Sequence, residues 1–121
     1  MAKIDLLREA ISTVAKPTAD RAKSFQDRNM GQRDTHPVKV VTVVGPDTGT
    51  WSATVVVATA PDGRGWSPDS KTYNISNTTP GISEALSTPC DNWGAWITAY
   101  SGDASGTGAN GFKGVNVMVE A

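Results

Sequence analysis

The chain has 121 residues, of which 19% are charged, and its 11 Lys and Arg against 12 Asp and Glu give a net charge of −1. That length suits one hydrophobic core. A single cysteine, Cys90, excludes an intrachain disulfide and a Cys-based zinc site, and a single histidine, His36, excludes a multi-histidine metal centre.

Charge is unevenly spread along the chain. Residues 1–39 hold 8 basic and 5 acidic side chains, a local net of +3, while residues 40–121 hold 3 basic and 7 acidic ones, a local net of −4. The composition changes at His36-Pro37, which divides the chain into a charged helical arm, residues 1–37, and a Val/Thr/Gly/Ser-rich β-domain, residues 38–121. In the arm, Ile4, Leu7, Ile11 and Val14 recur at spacings of three and four, which predicts a helix with one apolar stripe, ended by Pro17. Thr18 can cap a second helix over residues 19–30, stopped at Gly31. Its apolar side chains are few, Phe25 the largest, so this helix needs a neighbour to be stable. Asp5 and Glu9 interrupt the apolar region a signal peptide would require, and no stretch is long and apolar enough for a membrane span. The expectation is a soluble chain made in the cytoplasm, with the sequons at Asn74 and Asn77 unused.

From Val38 the period changes to two and the residues become β-branched and aromatic. Val38 to Val44 reads as a strand. Gly45-Pro46-Asp47-Thr48-Gly49 reads as the turn of a hairpin leading into a second strand, residues 50–59, with Trp51, Ala53, Val55 and Val57 on one face. A short strand follows at residues 71–75, then an irregular stretch over residues 77–89. Asn92 to Tyr100 is a third convincing strand, with Trp93, Ala95, Ile97 and Ala99 on one face and Trp96, Thr98 and Tyr100 on the other. Residues 101–111 read as a glycine-rich loop, and Gly114 to Glu120 closes the chain with Val115, Val117 and Val119 on one face. Some five strands joined by Gly/Pro turns predict a mainly β protein of α+β type, the helical arm followed by a small antiparallel sandwich or barrel.

No catalytic constellation is complete. Gly106 to Gly111 spells G-x-G-x-x-G, but the residues beyond read as a strand, not as the helix that would present its N-terminus to a pyrophosphate, so no cofactor is expected. His36 stands at the junction, with no Gly-x-Ser-x-Gly elbow to complete a triad. Paired carboxylates for glycoside hydrolysis would have to come from Asp47, Asp62, Asp69, Asp91, Asp103 or Glu84, most of which sit in turns, where the bonds of Asp to the local backbone account for it. The basic residues are in the arm and the aromatic ones in the acidic β-part, an arrangement that disfavours nucleic acid. Of the four tryptophans, Trp51 and Trp93 fit a core, whereas Trp66, between Gly65 and Ser67-Pro68, suits an interface or a glycan-stacking role as well as local packing.

In size, in its charged arm over Ala2 to Met30, and in its Val/Thr/Gly-rich β-part with glycine-rich loops such as Gly102 to Gly111, the chain resembles the small virion proteins of tailed bacteriophages of the capsid decoration (cement) type. The resemblance implies a non-enzymatic homo-oligomer, docked on major capsid protein and resident in the virion. Burial of Ile4, Leu7, Ile11, Val14, Phe25 and Trp66 against a partner is the expected contact. The alternative is a carbohydrate- or receptor-binding module of tail or fibre type, with Trp66, Asn77 and Asp103 meeting a glycan.

Overall fold

The computed structural model describes residues 3–10, 12–24, 38–61, 64–88, 90, 92–105 and 114–120. Eight strands run through them: β1 (Lys3–Ala10), β2 (Lys23–Ser24), β3 (Val38–Val44), β4 (Thr48–Thr59), β5 (Lys71–Ser76), β6 (Gly81–Ser87), β7 (Asn92–Ser105) and β8 (Gly114–Glu120). They form two four-stranded antiparallel sheets, β1-β8-β3-β6 and β2-β7-β4-β5, facing each other across one core.

The helical arm is corrected to a strand. Residues 3–10 pair along β8 from Lys3↔Glu120 to Ala10↔Gly114, and the only helical element among the described residues is one 3-10 turn, Ala19–Arg21. The three-residue spacing of Ile4 and Leu7 has another cause. A bulge between Asp5 and Leu7 inserts one extra residue, so an alternation that would repeat at even spacing repeats at an odd one, and Leu6 and Leu7 both enter the core. Of the predicted second helix, residues 19–24 supply the 3-10 turn and β2, and residues 25–30 lie outside the described residues.

Alternation dictates what the core receives from the other strands. Val41 and Val43 of β3, Val55 and Val57 of β4, and Val115, Val117 and Val119 of β8 are each at most 2% exposed, and Trp51, Trp93, Ile75 and Ile97 complete the contact. Each covered side chain of this size contributes about 1.5–3 kcal/mol of transfer free energy. Lys39 shares the inward face of β3 and is itself fully covered.

The expected hairpin at Gly45 is a corner between sheets. β3 pairs with β6 and β8 in one sheet, while β4 pairs with β5 and β7 in the other. Trp51 fixes this corner by donating its indole N–H to Pro46 O at 3.0 Å, with its ring so close over Gly45 that a Cβ there would lie 2.6 Å from the ring. A second close approach falls at Gly102, whose φ of +92° brings β7 against the main chain of Thr50 and Trp51. Strand β7 therefore runs on to Ser105, through residues 101–105 expected in a loop.

Candidate functional site

Residues 12–24 close one side of the sandwich. Val14 exchanges two main-chain hydrogen bonds with Ile97, at 3.0 and 3.2 Å, and β2 continues along β7 through Lys23↔Trp93 and Ser24↔Asn92. Lys23 Nζ donates to Asp5 O at 2.8 Å, tying this segment to β1 of the other sheet. Above it, the rings of Trp66 and Trp96 meet at 5.3 Å and 53°, Trp66 donates its indole N–H to Pro17 O at 2.8 Å, and Lys16 Nζ lies 5.4 Å from the Trp96 ring centre.

The sequence-predicted contact residues are thus engaged within their own chain. Ile4 packs half-buried against the core, Leu7 is part of it, Val14 is bonded to β7, and Trp66 is half-buried against Trp96 and Pro17. They do not converge on one outer surface: Ile4, Leu7 and Val14 pack on the core, while Trp66 lies against Trp96 of β7. Ile11 and Phe25 lie outside the described residues, as do His36, Asp62, Asp91 and the Gly106 to Gly111 stretch. Asn77, a glycan candidate, spends its Oδ1 on the Trp51 N–H at 3.1 Å.

The opposite side carries β5 and β6. Tyr73 bridges the two sheets there, its hydroxyl donating to Glu84 Oε1 at 3.1 Å. Burial first, then the hydrogen bond and charge of Glu84, push the Tyr73 phenol above its ordinary value. Strand β6 pairs with β3 over all seven residues without a bulge, and its outward side chains are Gly81, Ser83, Ala85 and Ser87. Beside them on the outer face of this sheet stand Val38 and Val40, 38% and 37% exposed. The strand falls within the stretch expected to be irregular because Gly, Ser, Ala and Glu carry little β preference. Its available signal was the alternation of Ile82, Glu84 and Leu86.

Two hollows lie among the described residues. One of 410 Å³ opens at the end of the sandwich, lined among others by Asp69, Lys71, Thr88, Cys90 and Trp93. Cys90 is held there by bonds to its neighbours, its Sγ 3.4 Å from Asn92 O and its carbonyl accepting from Trp93 Nε1 at 2.9 Å. The other, 320 Å³, lies on β4, β5 and β7 among Ser52, Thr54, Asn74, Ser76 and Ser101, paired in part as Ser52–Ser101 at 2.9 Å and Thr54–Asn74 at 3.1 Å. Among the described residues no group of three or more His, Cys, Asp or Glu is placed to hold a metal ion, and no helix is long and apolar enough to cross a membrane. Comparison with protein-family models, with curated proteins and with solved structures found no match.

Proposed function

We propose that this chain is a non-enzymatic structural subunit of a virion, of the capsid decoration type, made in the host cytoplasm and assembled with copies of itself, with major capsid protein, or with both. The observation that carries this reading is the outer face of the β1-β8-β3-β6 sheet. Val38 and Val40 are exposed there, next to the small residues Ala85 and Ser87, and neither β3 nor β6 turns a charged side chain to this face. Charged residues border this patch, Glu120 of β8 directly beside Val40 and Lys3, Asp5 and Arg8 beyond it on β1. An apolar centre with a polar margin is the anatomy of a protein–protein contact. Light scattering across a concentration series tests the self-association: a multimer that Val40→Lys dissociates supports the reading. Co-sedimentation with virus-sized particles from the source, resistant to a salt wash, tests the virion. Recovery only among free soluble proteins overturns it.

The neutral hydroxyl and amide hollow over Ser52, Thr54, Asn74 and Ser101 favours a second reading, a carbohydrate- or receptor-binding module of tail or fibre type. Saturable binding on a glycan array that Asn74→Ala abolishes would select it.

A further inference from the structure

Building on that reading, we propose that copies of this chain join edge to edge through β6, paired antiparallel across a two-fold axis at Ala85, so that two four-stranded sheets become one of eight strands. The hydrogen bond from Gly45 N to Pro80 O, 2.7 Å, belongs to the same register as Val44↔Gly81 and Val43↔Ile82. In an antiparallel ladder bonded pairs alternate with non-bonded ones, so Ile82, Glu84 and Leu86 spend their main-chain groups on β3. Gly81, Ser83, Ala85 and Ser87 turn theirs to the open edge.

Among the described residues the other edges are defended over at least part of their length, and this one is not. Strand β1 carries Lys3, Asp5, Arg8 and Glu9, has a bulge, and gives the carbonyl of Asp5 to Lys23. The outer edge of β7 is taken over part of its length by Val14 and β2. On β5, the turn after the strand consumes both main-chain groups of Ser76, through bonds of 3.1 Å to and from Thr79. Strand β6 has seven residues in unbroken register, neither Lys nor Pro within it, and one charge, Glu84, already bonded to Tyr73.

That charge excludes one register, and the apolar face favours another. An axis at Glu84 would set two carboxylates directly opposite each other, which is destabilising. An axis at Ala85 sets Glu84 against Leu86 and Ser83 against Ser87 of the other copy, and forms about six main-chain hydrogen bonds. It also aligns Val40, Ala85 and their symmetry mates in one row across the joined sheet, which makes the apolar faces of the two copies continuous.

Hydrogen exchange of the full-length chain at low and high concentration, alongside sedimentation, tests this. The expected result is a dimer in which the amides of Ser83, Ala85 and Ser87 exchange slowly, and fast exchange of the same amides on dilution. Ala85→Pro removes an outward N–H and leaves the β3 ladder intact, so it should weaken the dimer about tenfold or more while the monomer keeps its circular dichroism spectrum. Ala85→Lys, which adds an edge charge, should do the same if the proline variant fails to fold. A dimer with fast-exchanging β6 amides, dissociated by Val40→Lys and not by either Ala85 variant, overturns edge pairing and leaves the assembly reading in place. Monomers at every concentration overturn it too, including the case in which these amides slow only when capsid particles are added, since the strand is then supplied by a different protein.

Discussion

The ring of Trp66 lies flat enough over Gly94 that a Cβ at that position would come within 3.0 Å of three of its carbons. Glycine is therefore required by the neighbour rather than by its own backbone. Because Trp66 is also held by Pro17 and Trp96, it has little room to withdraw. Gly94→Ala should destabilise the fold by about 1–3 kcal/mol, read as a lower denaturation midpoint. Adding Trp66→Ala to that variant should cost less than the sum of the two single changes, because the overlap is gone.

Leu7→Ala should cost about 2–5 kcal/mol, the usual range for emptying a core position. The structure places Leu7 at 8% exposure among Val117 and its neighbours, so the loss should appear in urea midpoints. An unchanged midpoint with a reduced native mass would instead return Leu7 to the role of a contact residue. Truncating residues 1–30 would delete β1 and would report on folding rather than on docking.

Tyr73 sets an alkaline limit. The unfolded phenol loses its proton near pH 10, whereas the folded one holds its proton above that value, because burial and then Glu84 disfavour the phenolate. The folded state binds the proton more tightly, so this contribution is fully present below pH 10 and declines as pH rises towards the folded value. Urea midpoints at roughly pH 8 and pH 11 should fall further in the native chain than in Tyr73→Phe. Equal falls would show that Tyr73 does not govern the limit.

Asn116 is a place where the sequence can be improved. Its Oδ1 is buried without a hydrogen-bond partner, on a side chain 7% exposed between Val44 and Arg8 in the sheet register. An unmet buried acceptor costs about 1–3 kcal/mol, and valine suits a strand better than asparagine. Asn116→Val should raise the denaturation midpoint by an amount equivalent to about 1 kcal/mol or more. A fall would mean that the amide makes a contact worth more than its unmet oxygen.

What could be read from the sequence follows from how each strand meets its neighbours. Strand β8 was legible because Val115, Val117 and Val119 alternate without a break, and β3 because Val41 and Val43 carry the same alternation past the inward Lys39. Strand β7 was legible to Ile97. There a bulge opposite Thr54 and Val55 shifts the register, so Ala99, expected inward with Trp93, lies exposed. The bulge in β1 imitated a helical spacing, and β6, made largely of small residues, gave no propensity signal. The pairing of β3 with β6 and β8 rather than with β4 was hidden for another reason: a turn sequence such as Gly45 to Gly49 serves a hairpin and a corner equally. Of the candidate site, the turn residues around Trp66 suit an interface, glycan stacking or local packing equally, and its tie to Pro17 depends on a segment 49 residues earlier in the chain.

The bond from Lys23 to Asp5 has a bearing on size as well as on stability. A building block with sticky margins on both flanks propagates into ribbons without end, the geometry of fibrils. On the edge pairing proposed above, the β1 flank, with its charged side chains, its bulge and the Asp5 carbonyl given to Lys23, would hold lateral growth of this sheet at a pair. Lys23→Ala, which frees the Asp5 carbonyl, would weaken that stop and, under the same pairing, should shift sedimentation towards larger assemblies.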